Sequence, residues 1–232
     1  MTFPELALDP FDAAFLADPY AHHPALRDAG AVVWLPAIGC YAMARHAEVA
    51  AALKDWETYV SGRGVGLTDF AAEEPWRPVS LLLETDPPLH DRTRALMNKV
   101  AALPSLKAVM PEWKATAAQL VEAALAKGRV DGVTELAQAF PLAVFPRLIG
   151  LRDGGDQHLL TYAATAFNAF GPRNALTEAS LAGAQEATAW VAESCRRENL
   201  VPGGWGMQVY EAADRGDCSP AEAERLVRSF LT

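Results

Sequence analysis

Residues 84–94 read Glu84-Thr85-Asp86-Pro87-Pro88-Leu89-His90-Asp91-Arg92-Thr93-Arg94. This stretch predicts the start of a helix, because Asp86 suits an N-cap and Pro87 suits the first helical position. On that helix His90 and Arg94 lie four residues apart and share one face. Two donors or cations at this spacing repel each other mildly unless an anion lies between them. The spacing therefore predicts an anion-binding pair, with an ordinary solvent-facing pair as the alternative.

Hydrophobic periodicity predicts that helices dominate the chain. Leu89, Leu96, Met97 and Val100 form the apolar stripe of the helix that begins at residue 87. The predicted helices are Pro24 to Ala29, His46 to Asp55, Pro87 to Ala102, Ser105 to Lys127, Val133 to Leu151, Gln157 to Phe170 and Leu176 to Glu198. Two short strands, within 31–35 and 40–44, flank a tight turn. The predicted fold class is mainly α with a small N-terminal β-hairpin.

Composition limits the possible functions. Of the 232 residues, 51% are hydrophobic and 21% are charged, which suits a globular protein with a real core. A net charge of −9 argues against binding to nucleic acid, whose phosphates need a basic surface. The sequence shows no leader and no apolar run that would span a bilayer, so we expect a cytoplasmic protein without membrane contact. The expected ligand is a small molecule or a protein.

The segment from Ser61 to Thr85 is too long for an ordinary connection, and loops of this length are commonly functional. Its glycine-rich part, Gly62-Arg63-Gly64-Val65-Gly66, suggests a phosphate-binding loop. The register of a dinucleotide-binding motif is missing, however, and no parallel strand is predicted before it. A turn that uses the conformational freedom of glycine is the alternative interpretation.

The order of these features resembles the N-terminal half of a bacterial cytochrome P-450, the haem-thiolate monooxygenase family. The matching stretches are Asp18-Pro19-Tyr20, Leu26-Arg27-Asp28-Ala29-Gly30, the hairpin Trp34 to Ala44, the helix C motif Asp86-Pro87-Pro88-x-His90-x-x-x-Arg94, and Leu148-Ile149-Gly150-Leu151 at the end of helix E. The resemblance implies a haem cofactor whose propionate is bound by His90 and Arg94. It also implies the cytochrome P-450 fold.

Two stretches, 61–70 and 75–80, are similar to those of a subgroup that oxidises para-substituted benzoates, typically by O-demethylation. The resemblance implies that Arg77 and Ser80 hold the substrate carboxylate. It further implies that Phe167 and Phe170, three residues apart on one helix face, roof the pocket and that Leu83 lines it. The alternatives are a solvated loop arginine, a serine bonded to its own backbone, and ordinary core packing of the apolar side chains.

The family's oxygen-activating Ala-Gly-x-x-Thr and its cysteine-containing haem loop do not occur among these residues, and none of them is assigned to the family's Glu-x-x-Arg pair. Cys40, Cys195 and Cys218 do not match the axial cysteine, and their spacing suits neither zinc nor a disulfide framework. We therefore expect no metal ligand here and one incomplete domain over 1–232, with its β part at about 31–44 and its helical part at about 87–232. The fold is expected to be truncated before the central long helix is complete.

For the full-length parent, the resemblance implies hydroxylation or O-demethylation of a small aromatic carboxylic acid, and the fragment alone is expected to be inactive. Electrons would come from NAD(P)H through a ferredoxin reductase and an iron–sulfur ferredoxin. Arg92 and Lys99 are candidates for ferredoxin docking, with solvated helix charges as the alternative. The competing class is a non-enzymatic, all-helical small-molecule-binding domain, followed by a purely structural helical module.

Overall fold

The computed structural model describes residues 3–75, 78–152 and 155–231. Its α-helices are α1 (Ala13–Ala17), α2 (His23–Ala29), α3 (His46–Ala52), α4 (Leu89–Val100), α5 (Leu103–Lys127), α6 (Ala139–Ile149), α7 (Asp156–Asn168), α8 (Ala175–Gly183), α9 (Gln185–Ser194), α10 (Trp205–Asp214) and α11 (Pro220–Arg228). A π-helical segment, Val133–Gln138, precedes α6, and short 3-10 turns occupy Pro19–Ala21, Arg197–Asn199 and Ser229–Leu231. The two strands are β1 (Val33–Leu35) and β2 (Cys40–Ala42). The predicted fold class is confirmed.

The chain divides into two compact units. Unit 1 comprises Met1–Val79, Leu83–Asp86 and Asn168–Glu178. Unit 2 comprises Ser80–Leu82, Pro87–Phe167 and Ala179–Thr232. The expectation of one incomplete domain over the whole chain stays a prediction.

Unit 1 contains the β-hairpin. β1 and β2 pair antiparallel with Trp34 opposite Tyr41, and their rings lie 4.8 Å apart. The N-terminal segment joins the other edge of β1, where the Trp34 N–H donates to the Pro4 carbonyl and the Leu6 N–H donates to the Trp34 carbonyl. Gly39 adopts a φ of 64° in the connecting turn, a conformation that glycine permits at little cost. The added segment covers a strand edge that would otherwise be exposed.

Unit 2 is organised around α10, which packs against α4, α6 and α11. Its most deeply buried side chains include Ile149, Val191, Val209, Leu226 and Val227. The apolar stripe predicted on α4 faces this core, with Leu96, Met97 and Val100 buried and Leu89 partly buried. The core therefore holds α4 in a defined orientation.

Several predicted helix boundaries differ from the observed ones. The predicted helix end at Lys127 is confirmed, and the next residue, Gly128, adopts the left-handed conformation of a helix C-cap. The helix predicted over 176–198 is divided into α8 and α9 after Gly183. The helix predicted to reach Phe170 ends at Asn168. α10 and α11 lie within the helical part predicted at about 87–232, but no individual helix bounds were predicted there, although Ser219 and Glu222 have the spacing of a capping box.

Candidate functional site

α4 carries His90 and Arg94 four residues apart, as the sequence predicts. The His90 side chain is 35% exposed, and its Nδ1 lies 3.5 Å from Oδ1 of Asp91. Arg94 is exposed, and within the described ranges it makes no hydrogen bond or ion pair. An imidazole and a guanidinium on one helix face can both bind a carboxylate. These residues therefore fit the haem propionate that the family resemblance implies.

Thr93 lies between these two residues on α4 and is 1% exposed. Its Oγ1 lies 3.0 Å from the Leu81 carbonyl oxygen, 3.0 Å from that of His90 and 3.1 Å from that of Leu89. The carbonyls of Leu89 and His90 also receive helical N–H groups, whereas Leu81 lies outside the helices. The contact with Leu81 therefore ties the segment that contains Ser80 to α4. Sequence reasoning did not identify Thr93.

Asp86 is not the N-cap of α4, so this expectation was wrong. The helix begins at Leu89, and Pro88 occupies the cap position without a side-chain cap bond. The Asp86 carboxylate instead accepts the N–H of Ser61 at 2.9 Å and the N–H of Gly62 at 2.8 Å. Two N–H groups on one carboxylate form a bidentate, charge-assisted contact. Asp86 thus binds the start of the glycine-rich loop, 25 residues earlier in the chain.

The backbone conformation and close packing of this loop explain why glycines occupy it. A Cβ on Gly62 would lie 2.7 Å from Oδ2 of Asp86, and one on Gly66 would lie 2.9 Å from the carbonyl oxygen of Phe170. Gly64 has a φ of 101°, which strains any residue with a side chain. These contacts explain the glycines as turn and packing positions within unit 1. They require no phosphate.

Two acidic side chains secure the same loop from within unit 1. Glu84 is only 2% exposed, and its Oε1 accepts the Val65 N–H at 3.4 Å. Asp69 forms an ion pair with Arg63, whose Nε donates to Oδ1 at 2.9 Å. The Arg63 guanidinium lowers the pKa of the Asp69 carboxyl from its ordinary value. The loop is therefore held by carboxylates at both of its ends.

The predicted substrate residues fall in different parts of the chain. Arg77 lies outside the described residues. Ser80 is partly buried in unit 2, where its Oγ accepts the Leu82 N–H at 3.3 Å, and Leu83 is 48% exposed in unit 1. Phe167 is 69% exposed near the end of α7, whereas Phe170 lies in the turn that follows the helix. Because α7 ends at Asn168, the expectation that the two phenylalanines share a helix face was wrong.

Arg92, a candidate for ferredoxin docking, makes its contacts inside unit 2. Its guanidinium forms a two-pronged ion pair with Glu222, in which Nη1 donates to Oε2 at 3.2 Å, and Nη1 also approaches the Asp217 carbonyl at 3.4 Å. Glu222 in turn completes the capping box of α11 with Ser219. These contacts lower the pKa of Glu222 to about 2. Arg92 thus fixes α11 to α4, and its docking role stays a prediction.

The Glu222 pair makes a testable contribution to acid stability. Its folded-state pKa lies below the ordinary value of 4.5, so it stabilises the fold above that pH and loses this contribution as the pH falls toward about 2. We expect Glu222→Gln to cost about 1 kcal/mol at neutral pH, the typical value of a helix cap. Urea unfolding at pH 6 and pH 3.5 should show a smaller acid-induced loss in this variant than in the wild type. Glu211→Gln, an exposed acid on α10, is the matched control and should behave like the wild type; equal acid sensitivity of Glu222→Gln would contradict the assignment.

The cysteines are poor candidates for metal ligands. Cys195 is fully buried, and this burial raises its thiol pKa to about 12. Burial also raises the pKa of Cys218, whereas Cys40 lies in β2. A thiol buried in apolar surroundings is less reactive than an exposed one. The described part of the chain contains no cluster of three or more His, Cys, Asp or Glu side chains that would hold a metal ion.

Arg228, near the end of α11, is a basic residue that sequence reasoning did not single out. It forms an ion pair with Glu224 one helical turn earlier, and its side chain is 30% exposed. Its Nε is buried and has no hydrogen-bond partner among the described residues. A buried donor without an acceptor is costly, so Nε of Arg228 is an open donor in unit 2. Nothing in the local sequence around Arg228 signals this.

The chain matches no protein-family profile. "Cytochrome p450 CYP199A2" of Rhodopseudomonas palustris is 46% identical over 230 residues, which cover 99% of this chain and 56% of that protein. The chain belongs to the cytochrome P-450 family. The matched part is the N-terminal half of a longer P-450, and the chain spans only a little more than half of this relative's length.

Other P-450 relatives agree with this assignment. The beta-dihydromenaquinone-9 omega-hydroxylase of Mycobacterium tuberculosis is 32% identical over 149 residues, which cover 64% of this chain and 29% of that protein. The heme domain of CYP116B5 from Acinetobacter radioresistens superposes with a TM-score of 0.75 at 19% identity, over 97% of this chain and 58% of that one. CalO2 gives a TM-score of 0.73 at 24% identity with the same coverage. At these identities the two structures support the P-450 fold alone.

Among the helices of the described ranges, none combines the length and the apolar character that crossing a bilayer requires.

Proposed function

We propose that the full-length P-450 containing this chain is a monooxygenase that hydroxylates or O-demethylates a small aromatic carboxylic acid, such as a para-substituted benzoate. The observation that carries the proposal is the contact between Thr93 and the Leu81 carbonyl, which ties the segment of Ser80 to the helix of His90 and Arg94. A candidate substrate contact and the candidate haem contacts therefore belong to one packed unit. The sequence match to CYP199A2 supports the P-450 part of the proposal.

In this proposal His90 and Arg94 bind the haem propionates from the exposed side of α4. A charge-assisted hydrogen bond of this kind is worth roughly 1.5–3 kcal/mol, which exceeds the mild repulsion between the two side chains. Haem, when bound, would supply the activation of O₂, and none of the three cysteines in this chain is proposed to ligate it. The residues of α4 therefore anchor the cofactor rather than activate it.

The carboxylate of the substrate would be bound by Arg77 and Ser80. A guanidinium presents a planar fork that matches a carboxylate, and the serine hydroxyl adds one further donor. Leu83, Phe167 and Phe170 would supply apolar surface for the ring, which such pockets need. With its carboxylate fixed at one end, the acid would present its para substituent at the other end. This arrangement predicts oxidation at the para position.

The overall reaction needs two electrons from outside the protein. One oxygen atom of O₂ enters a C–H bond of the para substituent, and the other leaves as water with two protons. NAD(P)H is oxidised and provides the electrons through a ferredoxin reductase and an iron–sulfur ferredoxin. We propose the cytoplasm as the site of this chemistry, because NAD(P)H is available there. On a methoxy group the hydroxylated product would break down to a phenol and formaldehyde.

Turnover of the full-length protein tests the proposal directly. The assay combines the protein with ferredoxin, its reductase, NADH and 4-methoxybenzoate. We expect equal amounts of formaldehyde and 4-hydroxybenzoate, with little product from methyl 4-methoxybenzoate, the matched neutral ester. Binding of the acid without any product would favour the non-enzymatic alternative, a binding domain. Equal turnover of acid and ester would contradict the carboxylate contact.

A further inference from the structure

We infer that Asp86 is a positioning residue for the ligand pocket, because its carboxylate fixes the glycine-rich loop (residues 61–66). This inference rests on the proposed function in one respect, namely that Phe170 contributes to that pocket. The carboxylate accepts the N–H groups of Ser61 and Gly62 at 2.9 and 2.8 Å. The two bonds connect backbone positions that are 25 and 24 residues away along the chain. They are therefore long-range contacts that fix the position of the loop, and not contacts within a local turn.

The opposite part of the loop touches the predicted roof of the pocket. Gly66 packs so closely on Phe170 that an added Cβ would lie 2.9 Å from the Phe170 carbonyl oxygen. Between these two contacts the loop is short and internally bonded, since the Gly64 N–H donates to the Ser61 carbonyl at 3.0 Å. A displacement at Asp86 is thus transmitted over a few residues to Phe170. All these residues belong to unit 1.

A second acidic residue, Glu84, reinforces the loop from two positions before Asp86. It is 2% exposed and accepts the Val65 N–H at 3.4 Å. The Asp86 contact is the shorter and involves two N–H groups. Asp86 is therefore the better position for a test.

The test uses the haem-loaded, full-length protein with Asp86→Asn. The amide retains one acceptor but turns an NH₂ group toward a backbone N–H, so one of the two bonds is lost. Two probes bind haem iron through nitrogen: imidazole, which is small, and 4-phenylimidazole, whose ring extends into the pocket. We expect the ratio of their dissociation constants to change by about tenfold, the effect of one charge-assisted hydrogen bond. A purely structural role would leave this ratio unchanged.

Asp131→Asn is the matched control. The Asp131 carboxylate also accepts two backbone N–H groups, those of Val133 and Thr134 at 2.9 and 2.8 Å, but it lies in unit 2. We expect this variant to keep the wild-type ratio of the dissociation constants of imidazole and 4-phenylimidazole, here called the azole ratio. Amide hydrogen exchange gives a readout that needs no haem: the backbone amides of 61–66 should exchange faster in Asp86→Asn and not in Asp131→Asn.

Gly62→Ala provides an independent variant, because its Cβ would lie 2.7 Å from Oδ2 of Asp86 and must displace the same contact. Its effect on the azole ratio should not add to that of Asp86→Asn in the double variant. If Asp86→Asn fails to retain haem, the azole ratio is measured in Gly62→Ala instead. An unchanged azole ratio in both single variants would overturn the inference. If the wild type binds 4-phenylimidazole but no benzoate, the proposed substrate is wrong, and the Asp86 result still stands by itself.

Discussion

Replacing His90 or Arg94 with alanine in the full-length P-450 is expected to loosen haem by about tenfold or more for each variant. Each replacement removes one of the two donors proposed for the propionates, and a carboxylate that loses such a partner pays most of its desolvation cost. Haem loss to excess apomyoglobin, followed by absorbance, measures the effect. The substrate preference of the remaining haem-loaded protein should not change.

Lys99→Ala is the matched control for these variants. Lys99 is another exposed basic residue of α4, in its last turn, and it is not assigned to haem. Its removal should leave haem loss at the wild-type rate. If His90→Ala and Arg94→Ala also retain haem like the wild type, the propionate assignment is wrong. The two positions would then be the ordinary solvent-facing pair that their spacing alone also allows.

Replacing Arg77 with alanine is expected to weaken binding of 4-methoxybenzoate by about 10- to 100-fold in the full-length protein. The guanidinium is the only cation proposed for the substrate carboxylate, and the pocket is otherwise expected to be apolar. Ser80→Ala removes one neutral donor, and we expect a smaller loss. Titration of the haem absorption spectrum with the acid measures both.

The sequence predicted the fold class and the helix that carries His90 and Arg94, while the haem role of this pair stays a prediction. Local patterns carry this information: the periodicity of α4 and the four-residue spacing of His90 and Arg94 depend on neighbours within one helix. The predicted helix end at Lys127, directly before Gly128, is another local signal, and it was also confirmed. The resemblance to the P-450 family was confirmed by the match to CYP199A2. Features that depend on residues within a single helix can therefore be predicted from the sequence.

Long-range contacts are the part that the sequence did not reveal. Asp86 has the residue type and position of an N-cap, but its carboxylate binds backbone groups 25 and 24 residues away. Arg92 looks like a solvated helix charge, yet it pairs with Glu222, 130 residues further along the chain. Thr93 is a polar residue on an amphipathic helix, and its burial depends on the Leu81 segment. In each case the partner is chosen by tertiary packing, which local propensity does not encode.

Paired titrations of the wild type and Arg77→Ala, with 4-methoxybenzoate and its neutral methyl ester, test the central claim most directly. The claim is that this P-450 recognises an aromatic acid through its carboxylate. We predict that the wild type binds the acid more tightly than the ester, and that Arg77→Ala weakens binding of the acid by about tenfold or more while changing the ester by less than about threefold. Equal losses for both ligands, or a wild type that prefers the ester, would contradict the account.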